Sequence, residues 1–232
     1  MILFNSETTK NHILSNLTTD EAQRIGPHLE QIEAKLGDVL VNSGDTIDFL
    51  FFPDGSMASI VGVTARGGSA EIGIVGKEGL IGAEVFLGAE RMPNHVSIQM
   101  PDGGFKLPSA IAIREFEMGG PFQKNVLKFF YKLLVQVSQT AVCNALHSLE
   151  QRVARWMLMC HDRSPDDKIR LTQEFLALMV GSTRPSVSLV ASNLQDSGVI
   201  TYTRGVITII ERERLEGFAC DCYKVMREAQ NL

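Results

Sequence analysis

The stretch from Leu171 to Ile200, LTQEFLALMVGSTRPSVSLVASNLQDSGVI, constrains the fold more than any other part of the chain. Its apolar residues fall at helical spacing in two short blocks separated by a glycine. Phe175, Leu176, Met179 and Val180 make one apolar face. The Thr172 hydroxyl can accept from an unpaired backbone N–H of that helix's first turn. Gly181 then interrupts the pattern, as expected where the chain takes a positive φ beyond a helix end. Ser182 or Thr183 can cap a second helix, and Pro185 falls in its first turn, where the missing N–H costs nothing. Val187, Val190, Ala191 and Leu194 give the second apolar face, and Gly198 stops it. Helix, glycine turn and capped helix is the helix-turn-helix arrangement, whose second helix enters the major groove of DNA. An αα-hairpin inside a globular core would share this spacing. The next ten residues decide between the two. In TYTRGVITII, from Thr201 to Ile210, β-formers alternate around an Arg204-Gly205 turn, and a hairpin placed directly after a recognition helix is a wing.

The rest of the chain is long enough to carry a second domain. With 232 residues, 44% of them hydrophobic, it can bury two separate cores. No apolar run approaches the ~20 residues needed to cross a bilayer. The opening Met1-Ile-Leu-Phe4 run is shorter than the roughly 7–15 apolar residues of a signal-peptide core. A cytoplasmic protein without a membrane partner is expected. The net charge of −5 argues against a dedicated nucleic-acid binder, but its distribution does not. Residues 1–144 hold 11 Lys and Arg against 16 Asp and Glu, whereas residues 145–232 hold 11 of each. A neutral C-terminal domain can still turn a basic face to phosphates. The cysteines are Cys143, Cys160, Cys220 and Cys222, with no CxxC pair among them. Cys220-Asp-Cys222 alone is too little for a metal site, so no metal ligands are expected and the thiols read as structural.

Along the chain, residues 1–30 read as short polar helices, with Leu14, Leu17, Ile25 and Leu29 inward and His12 and His28 facing solvent. From about Ile32 to Leu107, β-rich runs recur between glycine turns: Val39–Val41, Ile47–Phe52, Met57–Val63, Ala70–Val75 and Val96–Met100. Gly103-Gly104 reads as one of those turns. Strands this short and this regularly spaced imply a sandwich or roll, which can hold a small ligand. Gly79 and Gly82 frame a tight corner or an anion-holding turn. Pro121 opens a long helix in which Val126, Phe130, Leu133 and Val137 repeat at 4, 3, 4, which suits a buried core helix or, the preferred reading after a complete β-roll, the seam of a parallel two-stranded coiled coil. A change of phase near Cys143-Asn144 predicts a hinge. Ala145 to Leu158 is again helical, Ser164 to Asp167 a turn, and Glu211 to Glu228 one closing amphipathic helix with Leu215, Phe218, Ala219 and Tyr223 inward.

This order of parts resembles the Crp/Fnr family of bacterial transcription regulators. The resemblance spans nearly the whole chain and is most specific from Leu171 to Ile210. Leu149-Glu-Gln-Arg-Val-Ala-Arg-Trp156 is similar to the family's helix leading into the DNA-binding domain. It implies an α+β fold: an N-terminal β-roll, a cyclic-nucleotide-binding-like jelly roll, over 1–120, a dimerisation helix and hinge over 121–144, and a C-terminal winged helix-turn-helix over 145–232. It implies a homodimer that binds double-stranded DNA, works with RNA polymerase and answers to a small-molecule effector.

The departures narrow the effector. Family members that bind cyclic AMP carry a Gly-Glu pair and then an Arg-Ser pair on the cyclic phosphate. Gly82-Ala83-Glu84 partly matches the first, but Asn94-His95 stands where Arg-Ser would be. Without that arginine the phosphate loses its charge-assisted bidentate partner, so cyclic AMP is not expected. The N-terminal cysteines of the iron–sulfur members are missing, since the first cysteine is Cys143, and no iron–sulfur cluster is expected. His95 is a candidate haem ligand. The effector pocket is assigned to Gly82, Glu84, Val85, His95, Gln136 and Thr140, and the dimer interface to Val126, Phe130, Leu133 and Val137.

On the recognition helix, Arg184 can make the bidentate contact to guanine N7 and O6, Ser188 can reach a base edge, and Leu189 can touch a thymine methyl. Gln173, Thr183, Ser186, Ser192 and Arg204 are assigned to phosphates, which set register without reading sequence. No Ser/His/Asp ordering, HExxH, GxxxxGK loop or acid pair points to an enzyme. The competing reading is a ligand-binding module acting on a protein partner through its winged helix, supported only by the acidic balance.

Overall fold

The computed structural model describes residues 7–231, so the Met1–Phe4 run lies outside the described residues. The chain divides into two compact units, Met1–Ile60 with Ile74–Leu133, and Val61–Gly73 with Leu134–Leu232.

The first unit opens with helices α1 (His12–Ser15) and α2 (Thr19–Ile25). Asn11 is fully buried. Its side-chain carbonyl accepts from Ile13 and Leu14 N–H, and its amide donates to the Pro53 and Gly79 carbonyls, both at 2.9 Å. One polar side chain thus caps a helix and ties it to the end of the strand Phe49–Pro53 and to the loop at Gly79, leaving none of its own groups unsatisfied. Thr18 and Glu21 form a capping box on α2. Leu14, Leu17 and Ile25 are buried as expected.

Seven strands follow: β1 (Glu30–Ala34), β2 (Val39–Val41), β3 (Phe49–Pro53), β4 (Met57–Val63), β5 (Ser69–Val75), β6 (His95–Met100) and β7 (Asp102–Pro108). They form a three-stranded sheet in the order β1-β7-β3 and a four-stranded sheet in the order β2-β6-β4-β5. The expected strands therefore exist, with one correction. Gly103-Gly104 is not a turn but lies inside β7, paired with Glu33 and Ile32 of β1. A Cβ on Gly104 would overlap the Phe51 ring and stand 2.7 Å from the Phe52 carbonyl oxygen. The residue is small because a buried aromatic from β3 lies over it, a role glycine often has within strands. Gly79 is tight for a similar reason, since a Cβ there would run into the Phe129 ring.

Helix α3 (Ser109–Glu117) leads to α4 (Pro121–Leu146). Phe122, Val126 and Phe129 point into their own chain and are almost fully buried. Val126 is therefore corrected: it packs within the protomer and is not available to a partner. Leu127, Tyr131 and Leu134 on the opposite side are exposed.

In the second unit, α4 continues through Cys143-Asn144 without a break. The joint falls at His147-Ser148, where Ser148 and Gln151 form a capping box that starts α5 (Leu149–His161). The hinge expected at Cys143-Asn144 is thus displaced by a few residues, because a cap rather than a phase change ends the helix. Trp156 of α5 donates from Nε1 to Glu71 Oε1 at 2.8 Å. Next come β8 (Lys168–Arg170), α6 (Gln173–Met179), α7 (Arg184–Asp196), β9 (Ile200–Thr203) and β10 (Val206–Ile209). The strand order β8-β10-β9 adds a third strand to the expected hairpin.

The closing helix is corrected too. It is two helices, α8 (Arg212–Phe218) and α9 (Asp221–Gln230), because Ala219 and Cys220 are extended, with ψ of 157° and 163°. Arg212 holds the corner. Its Nη2 donates to Asp162 Oδ1 and to the Tyr223 hydroxyl, each at 2.6 Å, and Nη1 meets His161 Nδ1. Burial, and then the Asp162 carboxylate, push the Tyr223 phenol far up, so it stays a protonated donor to Asp162.

Candidate nucleic-acid interface

Helices α6 and α7 are bent by 102°, within the range for a helix-turn-helix. Leu176, Met179 and Val180 are buried on the first helix, and Val187, Val190, Ala191 and Leu194 on the second, so both apolar faces predicted from spacing point inward. Gly181 takes φ 61°, and Thr183 caps α7 by accepting from Ser186 N–H. Burying that stripe turns Arg184, Pro185, Ser186, Leu189 and Ser192 outward, all exposed.

The Arg184 side chain is 62% exposed, and its Nη1 lies 2.8 Å from Glu174 Oε1. Leu189 is 65% exposed and apolar, at the outer edge of the helix. Ser188 differs from its assignment. Its hydroxyl is 2.5 Å from Gln173 Oε1 and 2.9 Å from the Arg184 carbonyl oxygen, so it joins α6 to α7 and is half-buried. Thr183 and Ser186 pair their hydroxyls at 2.9 Å across the cap.

At the wing tip, Arg204 has φ 50° and Gly205 φ 77°, two successive left-handed residues as a tight hairpin turn requires. Arg204 is the only residue other than glycine with positive φ among the described residues. Gln173, Glu174, Arg184, Tyr202 and Arg204 line a single groove of about 270 Å³. Three of the residues assigned to DNA from sequence, which lie on α6, α7 and the wing, therefore meet.

The effector assignments are more dispersed. Gly82, with φ 88°, starts a 3-10 turn over Ala83–Leu87 that carries Glu84 and Val85. Burial pushes the Glu84 carboxyl above the usual carboxylate range, which suits an acceptor of neutral donors better than a partner of an anion. His95, on β6, pairs through Nδ1 with Asn42 Oδ1 at 3.3 Å. Gln136 and Thr140 are buried residues of the second unit. A groove of the first unit of about 680 Å³ is elsewhere, between Pro27–Glu33 and Asp102-Gly103.

The sequence reading also missed a side-chain cluster. Cys143, His147, Cys220 and Cys222 place their ligating atoms within 4.8 Å of one another. Cys220, accepting from Cys143, is pushed down to about 5, while Cys143, as the donor, is pushed up. Cys160 is a separate buried thiol.

A helix pair at this angle, a capped and solvent-facing second helix and a wing define a winged helix-turn-helix DNA-binding domain. Residues 151–218 match the family of Crp-like helix-turn-helix domains. Solved structures extend the likeness over most of the chain. A regulator described as belonging to the Crp/Fnr family, from Eubacterium rectale, superposes with a TM-score of 0.71 at 17% identity over 90% of this chain and 98% of that one. FixK2 from Bradyrhizobium japonicum gives 0.72 at 11% identity over 83% and 98%. A Crp/Fnr-family regulator from Thermus thermophilus gives 0.65 at 22% over 82% and 98%. None of the curated proteins matches the sequence. The fold is that of the Crp/Fnr regulators, and with its Crp-like helix-turn-helix domain the chain is a DNA-binding transcription regulator. Among the described residues no single helix is long and apolar enough to cross a membrane.

Proposed function

We propose that the chain acts as a homodimer, reading a specific operator with α7 and answering to a small molecule held by its first unit. The supporting observation is the shared groove of Gln173, Arg184 and Arg204 beside the exposed edge of α7. Arg184 is the base-reading residue, exchanging Glu174 for a guanine edge. Leu189 meets a thymine methyl. Gln173, Thr183, Ser186, Ser192 and Arg204 serve phosphates, and Ser188 holds Gln173 in place.

The dimer seam runs along α4 through Leu127, Phe130, Leu134, Val137 and Ala141, a 3, 4, 3, 4 repeat on its exposed and half-exposed side. Two recognition helices related by that axis read half-sites about 34 Å apart. Gly82, Glu84, Val85 and His95 are the effector groups of the first unit. The effector acts by binding one of two dimer arrangements more tightly than the other. The protein works in the cytoplasm beside RNA polymerase.

The test is fluorescence anisotropy on an operator selected from genomic fragments, alongside random duplex. Arg184→Ala is expected to cost about 1–3 kcal/mol on the operator and relax one position. Arg204→Ala is expected to weaken both duplexes alike and lower the salt slope by about 1. Equal losses on both duplexes for Arg184→Ala would remove it from base readout.

A further inference from the structure

Cys143 and His147 are four residues apart at the end of α4, on one helical face, and the His147 N–H still bonds the Cys143 carbonyl at 3.1 Å. Cys220 and Cys222 come from the α8–α9 corner. In a continuous helix, residues two apart point to nearly opposite sides. The extended backbone at Ala219 and Cys220 removes that obstacle, and both sulfurs turn to the same point. Cys143 Sγ is 3.4 Å from Cys220 Sγ, and Cys222 Sγ is 3.5 Å from His147 Nδ1. A tetrahedral ion with metal–sulfur bonds of about 2.3 Å has sulfur–sulfur edges of about 3.8 Å, so these distances are close to the required ones. The set is too compact for the several irons and sulfides of a cluster.

Two surrounding groups point the same way. His147 Nε2 lies 3.6 Å from Asp221 Oδ1, leaving Nδ1 for the ion, as in carboxylate–histidine–metal triads. Arg155 is only 4% exposed, and its Nη1 donates to the thioether sulfurs of Met159 and Met226, while Nε has no partner. Cys143 is pushed up by its hydrogen bond to Cys220 and by burial, and Cys222 by burial; the Arg155 charge lies close enough to work against both shifts. A buried cation without a carboxylate calls for negative charge nearby. Three thiolates and a neutral imidazole around a divalent ion carry one net negative charge.

We infer that Cys143, His147, Cys220 and Cys222 form a tetrahedral Cys3His site for a divalent ion of the zinc class. The ion staples the start of α9 to the end of α4, beside the joint at His147-Ser148. On binding, each thiol still protonated releases its proton to solvent, and no electron is transferred.

The test uses the full chain, reduced and stripped with chelator, then titrated with Co(II). One ion per chain is expected, with the intense visible bands of tetrahedral cobalt, a thiolate-to-cobalt charge-transfer band and a raised melting temperature. Cys222→Ser should weaken cobalt binding and lower the charge-transfer intensity by about a third, as one of three thiolates is lost, and Cys160→Ser should leave both unchanged, with circular dichroism reporting the fold of each. Asp221→Asn, at an exposed position, guards against misfolded ligand variants and should weaken affinity about 10–100-fold. A pale octahedral spectrum, a signature unchanged in Cys222→Ser, or its loss in a folded Cys160→Ser would overturn the assignment. So would a reduced protein that takes up no cobalt but oxidises to a Cys143–Cys220 disulfide, which would make the pair a thiol redox couple.

Discussion

Two of the corners between helices in the second unit are closed by different means. Between α6 and α7 the corner is closed locally: Gly181 takes the left-handed conformation, and Thr183 caps the helix three residues before the N–H it serves. Between α8 and α9 no glycine and no side-chain cap is present. That corner is held by groups far away in sequence, with Arg212 on Asp162, Tyr223 on Asp162 and Cys220 against Cys143. The first corner carries its own closure, to which one distant donor, Arg152 Nη1 on the Val180 carbonyl at 3.0 Å, is added. The second is only as firm as its distant contacts, and so can respond to what binds there.

The strongest way to break this comparison is Leu215→Ala. Leu215 is the fully buried residue of α8, and its truncation is expected to cost about 2–5 kcal/mol in urea unfolding, with hydrogen exchange rising across α9 as well as α8. If protection were lost in α8 alone, the two helices would not share a corner. Arg212→Ala follows at about 1–2 kcal/mol, discounted because Arg212 and Asp162 are each about 30% exposed. Gly181→Ala should cost about 1 kcal/mol, since the space beyond it is open and only backbone strain is added. A loss as large as that of Leu215→Ala would mean the α6–α7 turn also relies on distant packing. The smallest effect on stability is Glu174→Gln, within about 0.5 kcal/mol. On the proposed reading of the groove it should tighten binding to random duplex several-fold, by removing a carboxylate and freeing Arg184.

The same contrast explains what could be read in the sequence. The α6–α7 pair was legible because its signals are local: apolar spacing, a glycine and a hydroxyl cap. Arg204-Gly205 announced the wing likewise. Gly103-Gly104 misled because the reason for a small residue there, the Phe51 ring, comes from another strand. On α4 both sides carry apolar residues, so spacing alone could not tell Val126, which packs inward, from Leu127, which does not. The break at Ala219-Cys220 left no local mark, and with a continuous helix assumed, Cys220 and Cys222 could not be seen to face one point. The exposed placement of Arg184 and Leu189 on α7 and of Arg204 at the wing tip was legible, but not that Ser188 is engaged by Gln173.

The left-handed arginine at the wing tip has an evolutionary consequence. A side chain in that conformation is worse by about 1 kcal/mol than glycine would be. A screen selecting only for heat resistance should therefore recover Arg204→Gly or Arg204→Asn early, and on the phosphate role proposed for Arg204 those survivors would be sturdier proteins that hold DNA less well.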